Sequence, residues 1–180
     1  MVKVYYCDIA DYKLNENIIE NLVSVRKDYV NSITDVKRKT QSVAAWKLLE
    51  YAVMLNFPNQ KFDYKSENGV FSAVNNPFYF SISHSNNFVA VAISNFSIGV
   101  DVEKCDSKIL KLKSRLNCSD FGQTDIEKLT VSWTEKESLF KAKVGNNFFN
   151  KKLIDKNGNA YYLTVCTDEE SADFIEIIGI

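Results

Sequence analysis

The sequence predicts an α+β fold of two lobes, each with a helix packed against a small antiparallel sheet. Two observations support this prediction. The first is the spacing of apolar residues, which alternate in some segments and recur at helical spacing in others. The second is the order of these segments along the chain: strand, helices, strands, helices, strands. We place the boundary near Asn95–Gly99, which divides the 180 residues into lobes 1–97 and 98–180. A chain of this length can bury a packed core.

The first lobe begins with a predicted strand at Val2–Cys7 and a predicted helix at Leu14–Tyr29, where apolar residues recur at helical spacing. A second helix is expected from Thr34 or Asp35 to about Asn56, because Pro58 stops it. Its predicted inner face contains Val43, Ala44, Leu48, Tyr51, Ala52 and Leu55. The strands predicted next are Lys61–Ser66, Phe78–Ser83 and Phe88–Ile93, with turns at Asn68–Gly69 and Asn95–Phe96.

The second lobe begins with a predicted strand at Ile98–Glu103, because apolar residues alternate there with glycine and acids. Helices follow at Ile109–Leu116 and at about Asp125–Val144, and Gly145 is a suitable C-terminal cap for the second of them. The sequence returns to strands near Leu153–Ile154, Tyr161–Cys166 and Phe174–Ile178, with a hairpin turn at Lys156–Asn159.

Composition excludes several classes of protein. A formal net charge of -1 creates no global field for nucleic acid or an anionic membrane, so we expect neither as a partner. No apolar run is long enough to span a bilayer, and the N-terminus lacks the apolar core of a signal peptide. The four cysteines lack the close spacing of a zinc site. We therefore expect a cytoplasmic protein with reduced thiols.

Two acidic stretches are the best candidates for a functional site. Strand alternation places Asp101 and Glu103 on one face, about 7 Å apart, where they repel each other unless a cation or solvent intervenes. Helical spacing places Glu137 and Lys141 on one side of the later helix. Three carboxylates beside a lysine suit magnesium and a substrate phosphate. Taken singly, Asp101 and Glu103 could also be the solvent-exposed face of an edge strand. Glu137 and Lys141 could likewise be an ordinary ion pair between residues four apart on a helix.

The segment Ser81–Ser85 contains His84, the only histidine of the chain. A lone histidine at a strand end is often structural, but the small hydroxyl residues around this one can donate to phosphate oxygens. Lys37, Arg38 and Lys39 form the clearest basic cluster, at a helix N-terminus where a bound phosphate would be favourable. The chain has no Gly-x-Ser-x-Gly elbow and no Gly-rich dinucleotide or phosphate loop of the usual spacing.

Three motifs in this order resemble the 4′-phosphopantetheinyl transferases: Ser83-His84-Ser85, then Gly99–Glu103, then Trp133–Glu137 with Lys141. The chain is most similar to the two-lobed monomeric type that activates peptide and polyketide synthases. The resemblance covers about Phe78 to Gly145 and, more loosely, the helix from Lys37 to Asn56. It implies the pseudo-symmetric 4′-phosphopantetheinyl transferase fold, with the active site between the lobes.

The resemblance also implies an activity. The phosphopantetheine arm of coenzyme A would be transferred to a serine of an apo acyl or peptidyl carrier protein, with adenosine 3′,5′-bisphosphate as the by-product. Asp101, Glu103 and Glu137 match the family's magnesium ligands, and Ser83 with His84 matches a group that binds coenzyme A phosphate. Lys141 matches the lysine that neutralises the pyrophosphate. Glu137 also matches the residue that helps deprotonate the carrier serine.

The sequence departs from the family in two places. Many relatives have Gly-Lys-Pro in the loop where this chain has Glu67–Phe71, and some have an arginine at the position of Gln41. Arg38 or a neighbouring lysine is a candidate replacement for the missing charge in coenzyme A binding. These departures leave open a non-catalytic relative that only binds coenzyme A or a carrier. Another magnesium-dependent enzyme acting on a nucleotide pyrophosphate is a third possibility.

The carrier protein is expected to dock beside the segment that follows Glu103. Its lysines, among them Lys108 and Lys111, suit an acidic carrier helix. An apolar patch there is expected from Leu110, Leu112, Leu116 and Phe121.

Overall fold

The computed structural model describes residues 2–67, 70–75, 77–116 and 125–180. The first part of the chain forms β1 (Val2–Asp8), α1 (Glu16–Glu20), α2 (Ser24–Asn31), α3 (Val36–Asn56), β2 (Tyr64–Glu67), β3 (Val70–Ala73), β4 (Tyr79–Ser85) and β5 (Phe88–Ser94). The remainder forms β6 (Gly99–Lys104), a 3₁₀ segment (Ser107–Arg115), α4 (Ile126–Ala142), β7 (Asn147–Ile154), β8 (Ala160–Thr167) and β9 (Ala172–Glu176). The fold is mixed α+β, as predicted.

The strands form two main sheets and a small hairpin. The first sheet has the order β4-β5-β1-β9, the second has the order β6-β8-β7, and β2 pairs with β3. All pairs are antiparallel except β1 with β9, which are parallel. Since β9 is near the end of the chain, residues 98–180 supply one strand to the sheet that residues 1–97 build.

The helices and sheets stack in the order α3, first sheet, second sheet, α4. Trp46, Leu48 and other residues of α3 share one apolar core with residues of the first sheet. A second core lies between the sheets, where Val100 and Val102 of β6 meet residues of β1, β5 and β8. Helix α4 packs on the opposite side of β6 and β8. The strand β6 therefore has one face in an apolar core and the other under a helix.

The helix predicted at Leu14–Tyr29 is instead two helices. Asn21 ends α1, because its side chain and backbone N–H both donate to the carbonyl of Asn17. Val23 is extended and begins α2 without a side-chain cap. The break lets Leu22 and Val30 both reach the core.

Other boundaries differ from the predictions for local reasons. Lys143, with φ of 64°, takes the left-handed C-terminal position of α4 that we had assigned to Gly145. The segment predicted as a helix at Ile109–Leu116 is the 3₁₀ segment, and β3 was not predicted. On α3, Tyr51 and Leu55 are exposed instead of facing the core. The turn predicted at Asn68–Gly69 and the patch residue Phe121 lie outside the described residues.

A buried carboxylate connects the two sheets near the turn that follows His84. Asp155, at the end of β7, accepts hydrogen bonds from the backbone and side chain of Asn159 and from the backbone of Asn157. It also accepts from Asn87 Nδ2 at 3.2 Å, in the β4–β5 turn. These contacts hold the ends of β4 and β5 against the β7–β8 hairpin.

Candidate functional site

The strand β6 places its two acids as the alternation predicted. Val100 and Val102 point into the core between the sheets. Gly99, Asp101 and Glu103 therefore share the opposite face, which α4 covers. Asp101 is only 5% exposed. A carboxylate buried to this extent requires compensating charge or hydrogen bonds.

Gly99 allows α4 to lie directly on β6. A Cβ atom at this position would be 1.8 Å from the carbonyl oxygen of Ser138 and 2.6 Å from the backbone nitrogen of Ala142. Only glycine fits this contact without moving the helix. The close approach brings Lys141 over the strand, where its Nζ donates to Asp101 Oδ1 at 2.7 Å and to the Val100 carbonyl at 2.9 Å.

A second contact fixes α4 one turn earlier. The hydroxyl oxygens of Thr134 and Thr164 are 2.6 Å apart, and Thr164 is the β8 residue that pairs with Asp101. Glu137 lies three residues after Thr134 and four before Lys141, so it is on the side of the helix that both contacts anchor. Helical spacing thus places Glu137 on the face of α4 that carries Thr134 and Lys141.

The acids do not form a complete metal centre by themselves. Within residues 2–67, 70–75, 77–116 and 125–180, no group of three or more His, Cys, Asp and Glu side chains is arranged to hold a metal ion. The predicted roles of Asp101, Glu103 and Glu137 as three ligands of one ion remain predictions.

Three serines of β4 fill the free edge of β6. The hydroxyl oxygens of Ser81, Ser83 and Ser85 accept the backbone N–H groups of Val100, Val102 and Lys104 at 3.0–3.2 Å. We call this arrangement the serine ladder. It satisfies edge N–H groups that would otherwise be buried without partners. The ladder runs along the two strands in the same direction and holds the first sheet against the second.

Two serines of the ladder also donate to the acids. Ser83 donates its hydroxyl proton to Asp101 Oδ1 at 2.8 Å, and Ser85 donates to Glu103 Oε2 at 2.8 Å. Asp101 Oδ1 thus receives two donors, from Ser83 and Lys141. Asp101 Oδ2 is buried and has no hydrogen-bond partner among the described residues. A buried carboxylate oxygen without a donor is suited to a cation.

Glu103 is held in an unfavourable environment for its charge. Burial and, after it, the nearby charge of Asp101 raise the pKa of Glu103 to about 7, against the opposing effect of the hydrogen bond from Ser85. A divalent cation between the two carboxylates would remove this repulsion.

We expect Glu103→Gln to stabilise the metal-free protein above pH 7. Because the pKa is raised in the folded state, the native protein holds a proton that the unfolded chain releases, and its stability falls as pH rises from about 4.5 to 7. Gln removes this loss, so the free energy of unfolding at pH 8 should rise by about 1–3 kcal/mol. Urea unfolding in a chelator at pH 5 and pH 8 measures the difference. A variant less stable than the parent at pH 8 would contradict this account.

A cavity of about 830 Å³ opens beside these groups. Its charged and titratable lining consists of Asp101, Glu103, Lys141, Lys143, Arg26 and His84. Its apolar wall consists of Tyr29, Val70, Phe71, Phe80, Ile82, Ile98, Leu139 and Phe140. A cavity of this size that combines an apolar wall with convergent charged groups is typical of small-molecule and cofactor binding.

His84 is neutral in this cavity at ordinary pH. Burial lowers the pKa of His84 to about 4, and the positive charges of Lys141, Arg26 and Arg38 act in the same direction. A neutral imidazole still offers one N–H donor to a phosphate oxygen. Positive charge near His84 favours an anionic ligand in this cavity.

Arg26 is the cation that sequence reasoning missed. It is 4% exposed, and its guanidinium lies 4.7–5.0 Å from the ring centres of Tyr29, Trp46 and Phe71. It donates twice to Ser42 at 2.7 Å, its Nε has no partner, and no ion pair involves it within the described part of the chain. Burial lowers the pKa of Arg26 to about 10, so it stays charged at neutral pH.

Lys37, Arg38 and Lys39, the basic cluster at the start of α3, are not among the residues that line this cavity, and the predicted role of Arg38 in coenzyme A binding remains a prediction. Arg38 is exposed, and its backbone N–H is capped by Asp35. It contributes charge near His84 but does not line the described cavity. Lys37 donates to the side chain of Asn86 at 2.9 Å, and Gln41 donates to the Asn86 carbonyl at 2.8 Å. These two contacts fix the turn that follows His84.

Comparison with known proteins supports the resemblance found in the motifs. The 4′-phosphopantetheinyl transferase gsp of Aneurinibacillus migulanus is 31% identical over 115 residues, which cover 58% of this chain and 48% of the relative. The chain thus spans about half the length of the curated relative that it matches. This likeness supports a relationship to the phosphopantetheinyl transferase superfamily. No family model matches the sequence. Among the described residues, no helix has both the length and the apolar character needed to cross a bilayer.

Proposed function

We propose that this chain is a magnesium-dependent 4′-phosphopantetheinyl transferase of the two-lobed, monomeric, cytoplasmic type. It would transfer the phosphopantetheine arm of coenzyme A to a serine of an apo acyl or peptidyl carrier protein and release adenosine 3′,5′-bisphosphate. The observation that carries the proposal is the unpartnered Oδ2 of buried Asp101, beside Lys141 and Glu103 at one end of a cavity lined by further cations.

The donor set fits magnesium. Carboxylate oxygens are the ligands that this hard cation prefers, and one such oxygen is already oriented and free of donors. Asp101, Glu103 and Glu137 would hold the ion, with substrate oxygens completing its shell. When bound, Mg²⁺ supplies positive charge to the diphosphate oxygens as the leaving group departs.

The residues of the chain orient the substrate and neutralise its charge. Lys141 is anchored on the Val100 carbonyl, so its ammonium group is fixed at the edge of the cavity, where it would neutralise the diphosphate of coenzyme A. His84 and Arg26 would bind phosphate oxygens. Phosphoryl transfer depends on such positioning and charge neutralisation more than on covalent participation of the protein.

The reacting bonds follow from the chemistry of a diphosphate ester. The oxygen of the carrier serine forms a bond to the phosphorus that bears the pantetheine arm, and the bond from that phosphorus to the bridging oxygen breaks. The electron pair of that bond leaves with adenosine 3′,5′-bisphosphate. Glu137 would accept the serine proton, directly or through a water, as the new bond forms.

Arg26 replaces, in this proposal, the cation that the family motifs lack in this chain. Arg26→Met keeps an unbranched side chain beside Tyr29, Trp46 and Phe71 but removes the guanidinium charge that lies over their rings. A charged hydrogen bond is worth about 1.5–3 kcal/mol, so the Kd for coenzyme A should rise about 10- to 100-fold. Isothermal calorimetry with magnesium measures the change.

Arg38→Met is the matched control, because Arg38 is exposed and does not line the cavity within the described residues. We expect it to change the Kd for coenzyme A by less than about threefold, as for other screened surface charges. Equal effects of the two variants would show that Arg26 has no special role.

The carrier would dock on the 3₁₀ segment that follows β6. Lys108 and Lys111 are exposed there, and Leu110 is partly exposed between them. Reversing both charges to Glu should raise KM for an acidic carrier about tenfold or more with little change in kcat, because rim charges act mainly on association. The same reversal at Lys61 and Lys65, both exposed in the first part of the chain, is the control. An unchanged carrier KM in the first double variant would exclude this surface.

The transfer itself is tested by mass spectrometry. The purified chain is incubated with coenzyme A, Mg²⁺ and a panel of apo-carriers from fatty-acid, polyketide and peptide synthases. We expect at least one carrier to gain the mass of a phosphopantetheine group, and a chelator should abolish the gain. Binding of coenzyme A without any mass gain would support the non-catalytic relative. Consumption of coenzyme A with no carrier present would indicate a different pyrophosphate-cleaving enzyme.

A further inference from the structure

The serines of the ladder are not equivalent. All three accept a backbone N–H of β6, but Ser83 and Ser85 also donate to a carboxylate, and no carboxylate contact of Ser81 is found among the described residues. We infer that Ser83 is a positioning residue, which orients Asp101 so that Oδ2 is the metal-binding atom. The inference rests on the proposed function.

The orientation follows from the hydrogen bonds of one oxygen. A serine hydroxyl has a single proton, and Ser83 gives it to Asp101 Oδ1 at 2.8 Å. Lys141 donates to the same oxygen at 2.7 Å. Both lone pairs of Oδ1 are therefore engaged, whereas Oδ2 has no partner among the described residues. The carboxylate is arranged for a ligand at Oδ2 before any ion arrives.

Ser83 is fixed as firmly as the carboxylate it orients. It is 7% exposed, and its oxygen is held on the other side by the N–H of Val102 at 3.2 Å. Without this hydroxyl, Asp101 keeps only the donor of a long lysine side chain and is free to rotate about its Cβ–Cγ bond. Ser83 also has no proton left for a phosphate oxygen. The arrangement therefore favours a role toward Asp101 over the phosphate-binding role that the motif implied.

The test compares Ser83→Ala with Ser81→Ala. Each variant removes the hydroxyl that accepts one backbone N–H of β6, that of Val102 or Val100, so both should lower the melting temperature. Ser83→Ala should lower it more, because it also loses the hydrogen bond to Asp101. Only Ser83→Ala removes a donor from Asp101. Residues that orient metal ligands typically contribute 10- to 100-fold in metal affinity. We therefore expect the Kd for Mn²⁺, measured by electron paramagnetic resonance with coenzyme A present, to rise about 10- to 100-fold in Ser83→Ala and less than threefold in Ser81→Ala.

If Ser83→Ala fails to fold, Ser83→Cys serves instead, because it keeps a side chain of similar shape but offers only a weak S–H donor. Its Mn²⁺ affinity should also fall. Parent-like Mn²⁺ affinity in the Ser83 variant, with weaker coenzyme A binding in a chelator, would overturn the inference and make Ser83 a phosphate ligand. Failure of the proposed function looks different: the unaltered chain would neither bind Mn²⁺ with coenzyme A nor modify any carrier.

Discussion

Asp101→Asn should lower kcat/KM for carrier modification on the order of 1,000-fold. Asn has the shape of Asp but no negative charge, and its amide nitrogen cannot ligate a cation. In the parent chain the buried Oδ2 of Asp101 has no donor and is available to Mg²⁺, and the variant loses this ligand. Calorimetry should show that the magnesium-dependent part of coenzyme A binding is lost as well.

The control for Asp101→Asn is Glu170→Gln, which removes a negative charge from an exposed turn. It should leave both the rate and coenzyme A binding within about twofold of the parent, as expected for a screened surface charge. If Asp101→Asn retained magnesium-dependent binding of coenzyme A, the carboxylate pair of β6 would not be the metal site.

Glu137→Gln should lower kcat by two to three orders of magnitude, roughly the loss typical of a catalytic acid–base group. Gln keeps the length of the side chain but neither ligates magnesium well nor accepts the serine proton. Glu137 is half-buried on the side of α4 that Lys141 and Thr134 anchor, so we expect the fold to survive the change. Single-turnover transfer to an apo-carrier, followed by mass spectrometry, measures the rate.

Glu135 supplies a matched control on the same helix. Its carboxylate accepts a hydrogen bond from Asn150 Nδ2 at 2.9 Å and so points toward β7. Glu135→Gln should therefore change kcat less than about threefold, within the range of an exposed polar contact. A Glu137→Gln enzyme with parent turnover would exclude Glu137 from both of its proposed roles.

The parts of the fold that local patterns determine were predicted well. Strand-like apolar segments located β1 and β5, alternation located β6, and α3 and α4 were located to within a few residues. The pairing of β9 with β1 depends on contacts between the two ends of the chain, which no local pattern reveals. The break between α1 and α2 depends on the cap at Asn21, in a segment where the apolar spacing alone continues through the break.

The sequence predicted those site residues that recur at the regular spacing of a strand or a helix. The shared face of Asp101 and Glu103 follows from strand alternation, and the close contact that Gly99 permits is with α4. Arg26 was not predicted as part of the site. It lies on α2 four residues before Val30, and both are buried, so helical spacing places them on one face of that helix.

The hydrogen-bond partners of the serine ladder could not be predicted from the sequence, for a different reason. Ser81, Ser83 and Ser85 alternate in the sequence, and we predicted only that the hydroxyl residues around His84 can donate to phosphate oxygens. Their actual partners are the N–H groups of β6, from a strand that belongs to another sheet. Which polar group a serine meets depends on the packing of the sheets, and the sequence of the strand alone does not specify it.

The central claim is that Asp101 and Glu137 share one divalent ion on the diphosphate of coenzyme A. A crystal grown with coenzyme A and Mn²⁺ tests it directly, because Mn²⁺ gives an anomalous signal. We predict a single strong anomalous peak about 2.1 Å from Asp101 Oδ2 and from a carboxylate oxygen of Glu137, beside diphosphate oxygens that contact Lys141. A peak that fails to contact both carboxylates, or a diphosphate bound away from Lys141, would contradict the account.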